Sequence, residues 1–228
     1  MTLLVADRLC KTVSPALAVT DVSLHLDAGE ILALVGPPGT GKSTILAMIG
    51  GQTRPDRGRI RLGADEIGSD DQRARFRLGV GRTFQRPAVF ASMTVRENVQ
   101  TAFLSARDEL ARWWRPASRL HRSRADLLLQ RVGLLDHAGR AATALTPVLL
   151  RRLDLALALV HRPRLLLLDE PTAGLPAADA LSLRSLIRDL ATRDGTAILW
   201  AEADIDDVFG TADRILTIGG CEVQRVSA

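Results

Sequence analysis

Residues 36–43 read Gly-Pro-Pro-Gly-Thr-Gly-Lys-Ser, a complete G-x-x-x-x-G-K-[ST] pattern. The glycines let the backbone curl until its N–H groups converge on phosphate oxygens. Lys42 is spaced to reach the β- and γ-phosphates, and the Ser43 hydroxyl to ligate Mg²⁺. A helix starting near Lys42 adds its N-terminal dipole to the grip. Gly36, Pro37, Pro38, Gly39, Thr40, Gly41, Lys42, Ser43 and Thr44 are therefore candidate phosphate-binding residues. A second constellation is Leu165-Leu-Leu-Leu-Asp169-Glu170. Asp169, ending a buried strand, can hold Mg²⁺ through water. Glu170 beside it can orient and deprotonate an attacking water. Together these residues point to a nucleoside triphosphate and Mg²⁺.

The surrounding pattern supplies elements to position them. The apolar run Ile31–Val35 fits a strand buried on both faces and leads into the glycine-rich turn. A helix follows from about Ser43 to Ile49, and Gly50-Gly51 stops it. Residues 3–8 and 20–26 read as short strands, the second because Val22, Leu24 and Leu26 alternate with Ser23 and His25. Residues 54–62 read as a turn into a strand. From about 94 to 160 the pattern is helical: Val95, Val99 and Ala102 share a face, and Leu127, Leu128, Arg131 and Val132 follow a similar spacing. Trp113-Trp114-Arg115-Pro116 breaks that run as a loop, set either at a membrane surface or against neighbouring protein. Leu183, Leu186, Ile187 and Leu190 predict an amphipathic helix. Thr196–Trp200 predicts a strand, and Ile215–Ile218 one that closes the chain. Strands alternating with helices argue an α/β fold with a mainly parallel sheet.

Composition narrows the class. The chain has 228 residues, 46% apolar and 25% charged, as a globular domain does. Of 30 basic residues only Lys11 and Lys42 are lysine, so the phosphate loop holds half of the lysines. The arginines are scattered, with one denser run from Arg107 to Arg124, which reads as a solvated surface and not as a nucleic-acid face. Cys10 and Cys221 offer neither metal spacing nor a disulfide framework. Asp204, Asp206 and Asp207 read as a solvated helix start. No uncharged apolar run is long enough for a membrane-spanning helix.

The run Leu168-Asp-Glu-Pro-Thr-Ala-Gly-Leu175, with residues 36–44, resembles the ATP-binding subunit of ABC transporters. The resemblance covers nearly the whole chain. It implies a P-loop NTPase (RecA-like) core with an antiparallel β subdomain and a helical ABC subdomain. As one domain over 1–228, the core would take 1–86 and 161–228 and the helical part 87–160. Arg82-Thr-Phe-Gln85 resembles the family's Q-loop, which implies that Gln85 touches Mg²⁺ and senses the γ-phosphate. With Met93–Asn98 it is most similar to the branched-chain amino acid importer group. The family implies ATP and Mg²⁺ as cofactors, and integral-membrane permease subunits as partners. It also implies a homodimer, or a heterodimer with a second ABC ATPase, peripheral on the cytoplasmic face of the inner membrane.

Four positions depart from the family pattern. The signature L-S-G-G-Q appears as Leu145-Thr-Pro-Val-Leu149. There Pro147 has no N–H to offer and Val148 adds a branched side chain where close approach is wanted. The switch histidine is Ala203, which cannot hydrogen-bond a phosphate. The aromatic that stacks on adenine falls at Val13, which has no ring face. Pro176 replaces a polar residue after Glu170. Losing one such donor costs roughly 100- to 1,000-fold in rate. The chain therefore reads as an importer motor with slow hydrolysis, or as an ATP-binding regulatory partner or decaying paralogue. A soluble P-loop kinase or a nucleic-acid repair ATPase is a third class, disfavoured by the Asp169–Leu175 run and the chain's length.

Overall fold

The structure is a computed structural model that describes residues 1–14, 17–106, 120–219 and, as backbone, 222–226. Its larger sheet is built from β3 (Ile31–Val35), β6 (Val80–Arg82), β7 (Leu165–Asp169), β8 (Ala197–Glu202), β9 (Arg214–Gly219) and β10 (Glu222–Val226), in the order β10-β9-β3-β8-β7-β6. All neighbours pair parallel except β10, which runs antiparallel on the edge. β10 pairs antiparallel with β9 and is one strand more than the sequence expectation.

Alternation explains the unbroken apolar runs of β3, β7 and β8. Ile31, Ala33, Val35, Leu166, Leu168, Ile198 and Trp200 pack on one face, against helices α3 (Val95–Ala106), α4 (Arg122–Arg131), α5 (Pro147–Leu159) and α6 (Ala177–Asp194). Leu32, Leu34, Leu165, Leu167 and Leu199 pack on the other, against α1 (Lys42–Ile49) and a second sheet. The middle of β3, β7 and β8 therefore serves two cores, and the polar residues Asp169 and Glu202 stand at the C-terminal ends of β7 and β8. The Trp200 side chain is fully buried, and its indole N–H is satisfied by Glu202 at 3.1 Å.

The second sheet has the order β2-β1-β4-β5, from β1 (Thr2–Ser14), β2 (Leu17–Asp27), β4 (Arg57–Leu62) and β5 (Asp65–Glu66). Its pairing is antiparallel. Val22, Leu24 and Leu26 point inward as alternation predicts. β1 and β2 extend past the predicted limits because pairs such as Lys11 with Val19 and Thr12 with Ala18 need only backbone partners. Lys11 also bridges to Asp56 at 2.7 Å, which ties β1 to the turn before β4.

Three expectations need correction. On α4 the inward face is Ala125 and Leu129, followed by Val132, whereas Leu127 points to solvent at 67% exposure. No helix starts at Asp204: a turn follows, in which the Asp206 N–H donates to Asp204 at 3.1 Å and Asp207 pairs with Arg184 at 2.9 Å. The helical stretch 94–160 is broken, with short 3₁₀ turns at Leu135–His137 and Ala142–Ala144. Trp113, Trp114 and Cys221 lie outside the described residues.

A further helix, α2 (Gln72–Arg77), has no apolar periodicity to announce it. Its N-cap Asp71 accepts from the Ala74 N–H at 2.8 Å. Its buried anchor is Arg75, whose guanidinium donates to the Met48 and Ile49 carbonyls at the end of α1. A cation there satisfies orphan carbonyls and complements the helix dipole.

Candidate functional site

The loop between β3 and α1 takes its shape from glycines that nothing else can replace. A Cβ at Gly36 would sit 2.3 Å from the Ile218 carbonyl oxygen. Gly41 has φ +95, and a Cβ there would meet Val19 at 2.7 Å. Lys42 is buried, and its Nζ donates to the loop's own carbonyls at Gly36 and, at 3.1 Å, Pro37. Burial pulls its pKa down, while Glu170, Asp169 and Glu202 oppose the shift. The ammonium is thus folded across a loop mouth where it can turn outward to phosphate. The amides of Lys42, Ser43 and Thr44 open α1 and have no partner four residues back within the helix.

The two carboxylates come to this loop from β7. Ser43 Oγ donates to Asp169 Oδ1 at 3.0 Å across 126 residues of sequence. Glu170 follows with φ +47, a left-handed conformation held by its N–H donating to the Ala201 carbonyl at 2.9 Å. Gln85 Nε2 donates to Glu170 Oε2 at 3.1 Å. Ser43 and Asp169 therefore meet at the phosphate loop, and Gln85, placed here by the family resemblance, meets Glu170 beside them. A hydroxyl, a carboxylate and an amide oxygen are hard donors that suit Mg²⁺. Among the described residues no group of three His, Cys, Asp or Glu side chains could cage a metal.

Several residues of the site carry no sequence signal of their own. Asp154 of α5 accepts from the Phe84 and Ala88 N–H groups, both at 3.1 Å. Arg151 donates to the Gln85 carbonyl at 2.6 Å. The signature helix therefore holds the Gln85 loop by both its donors and its acceptors. Burial pushes Asp154 up from 3.8 to about 6, against the pull of the two backbone N–H groups. Glu202, closing β8, accepts from Thr172 Oγ1 at 2.6 Å, and its own carbonyl accepts from the Gly36 N–H at 3.3 Å. It ties the phosphate loop to the turn after Glu170, and burial raises its pKa.

The departures from the family pattern also have places. Pro147 is the first residue of α5, where its missing N–H would have been unpaired in any case. The helix survives, and the Leu150 N–H donates to the Thr146 carbonyl at 2.9 Å. The proline thus removes a donor without breaking the element. Val148 and Leu149 keep amides that lie before the first intrahelical bond. Ala203 is exposed just past β8. Val13 lies exposed near the end of β1, and the valine packed on the phosphate loop is Val19. Pro176 stands just before α6 and offers no side-chain cap. Among the described residues no helix is long and apolar enough to cross a membrane.

Comparisons with known proteins identify the family. Residues 19–173 match the ABC transporter family. The chain is 37% identical over 210 residues to a high-affinity branched-chain amino acid transport ATP-binding protein of Salmonella typhimurium, covering 89% of this chain and 82% of that protein. It is 37% identical over 212 residues to a phosphonates import ATP-binding protein of Rhodopseudomonas palustris, covering 89% and 78%. In fold it is similar to the crystal structure of an ATP-binding cassette of an ABC transporter in its ADP conformation, with a TM-score of 0.89 at 23% identity, covering 100% of this chain and 92% of that one. The chain belongs to the ABC transporter family, as one of its ATP-binding subunits.

Proposed function

We propose that this chain is the ATP-binding subunit of an ABC importer, coupling Mg-ATP binding to solute movement through a separate membrane permease, with slow or impaired hydrolysis of its own. The observation that carries it is the convergence of Ser43 and Asp169 at 3.0 Å beside a buried Lys42 and an intact phosphate loop. Branched-chain amino acids or similar small polar solutes are the substrates in this reading, which the Salmonella relative's name favours. The phosphonate relative marks the nearest alternative.

In this reading residues 36–44 bind the phosphates, and Ser43, Asp169 and Gln85 hold Mg²⁺. Glu170 positions the attacking water, and Val13 lies beneath the base. Residues 1–86 and 161–228 form the nucleotide-binding core and 87–160 the helical subdomain. Two cassettes, identical or not, enclose the nucleotide head to tail. A separate membrane permease is the partner through which the solute moves. This seats the chain on the cytoplasmic face of the inner membrane.

Impaired hydrolysis is supported by the exposed Ala203, which has no ring to hold a phosphate, and by Pro147 at the head of α5. The same two positions support the second reading, a binding-only partner of a competent ATPase. Titration of Mg-ATP into the wild type and Lys42→Ala tests the root of the proposal. Binding is expected in the first and lost in the second. Equal binding would remove the assignment.

A further inference from the structure

Arg82, the last residue of β6, is not needed to complete either motif, yet it reaches the centre of the site. Its Nη2 donates to Asp169 Oδ2 at 3.2 Å, and the two side chains are only 9% and 7% exposed. Its Nη1 donates to Gln52, just past the end of α1. The side chain runs past Gly50, where a Cβ would lie in ordinary contact distance of it, 3.4 Å from Arg82 Cδ and Nη1. Asp169 Oδ1 is meanwhile occupied by the Ser43 hydroxyl. Both oxygens of the carboxylate are therefore committed before any nucleotide arrives.

A guanidinium keeps its charge under all ordinary conditions. Buried against Asp169, it cancels most of the negative charge that would otherwise draw a divalent cation and repel a triphosphate. We propose that Arg82 sets how strongly nucleotide binding depends on Mg²⁺, by neutralising Asp169 so that metal-free ATP is tolerated at the phosphate loop. Arg82 is a positioning residue here: it acts on nucleotide and metal through Asp169. The inference rests on the ATP assignment above.

Without Arg82, Asp169 presents an unpaired anion to the triphosphate. Metal-free ATP is then repelled, and Mg²⁺ bridging becomes more valuable. The readout is the ratio of the ATP dissociation constant in EDTA to that in excess MgCl₂, measured by calorimetry on the purified chain. Arg82→Gln is expected to raise this ratio about tenfold over the wild type, as the loss of one close charge pair implies. Arg82→Lys, which keeps the charge, should stay within about twofold. Arg82→Met fills the same space without charge, and it replaces the glutamine variant if that one fails to fold. An unchanged ratio in the uncharged variant would overturn the proposal and leave Arg82 as a brace between β6 and β7. A tenfold rise in Arg82→Lys would overturn it too, because charge would not be the cause. A wild type that binds no ATP under either condition would overturn the ATP assignment itself.

Discussion

Two helices of this protein begin where the family presents phosphate with backbone amides, and they begin differently. α1 is entered through Gly39 and Gly41, with φ +84 and +95, which leaves its first turn open to an anion and Lys42 folded beside it. α5 is entered through Thr146 at φ −70 and ψ 161, followed by proline. The first entrance favours glycine because both positions take a positive φ and a Cβ on Gly41 would meet Val19 at 2.7 Å. The second has been rebuilt from residues with ordinary backbone preferences. It is a sound helix start and, in the proposed reading, a poor phosphate ligand. The difference teaches that a motif can be lost for chemistry while its element is kept for architecture. α5 still holds the Gln85 loop through Arg151 and Asp154.

That contrast can be broken at either end. The largest effect is expected at α1. Lys42→Ala removes charge-assisted contacts to two phosphates, and Mg-ATP affinity should fall by roughly 100-fold or more. Calorimetry measures this directly. Next comes the repair of the other entrance. Thr146→Ser, Pro147→Gly, Val148→Gly and Leu149→Gln together with Ala203→His should raise steady-state ATP turnover by roughly 100- to 1,000-fold. A repaired chain no faster than the wild type would mean that these positions do not limit hydrolysis.

Asp154 gives a smaller effect with a defined pH dependence. Its carboxyl is raised to about 6 in the fold, so the folded state favours the protonated form. The associated stability is present below the ordinary 3.8 and lost as pH rises through about 6. Between those values the wild type should lose about 3 kcal/mol relative to Asp154→Asn, whose profile lacks this slope. Urea unfolding at several pH values checks it. The smallest effect is expected at the base. Val13→Tyr should tighten ATP about 3- to 10-fold if the ring can stack on adenine, and leave inorganic triphosphate unchanged. Competition between the two ligands reads this out.

Much of this was legible in the chain, for identifiable reasons. The phosphate loop and Asp169-Glu170 are contiguous, and their glycines and buried leucines state their own conformation. The doubly buried strands showed as unbroken apolar runs because alternate residues face two cores. What stayed hidden depends on distant partners. Arg82 and Asp169 lie 87 residues apart, and Asp154 and Phe84 lie 70 apart. α2 was hidden because its anchor is a buried arginine and not an apolar stripe. Pro147 reads as a break in the sequence, yet it stands at the one helical position where a proline costs nothing.

The central claim is a kept phosphate grip with an impaired hydrolytic half. Its most direct test is ATP binding and turnover by the purified chain in the presence of Mg²⁺, alongside Glu170→Gln. Clear binding is expected in both proteins, with turnover in the wild type far slower than about once per second. Turnover at several per second, abolished by Glu170→Gln, would contradict it.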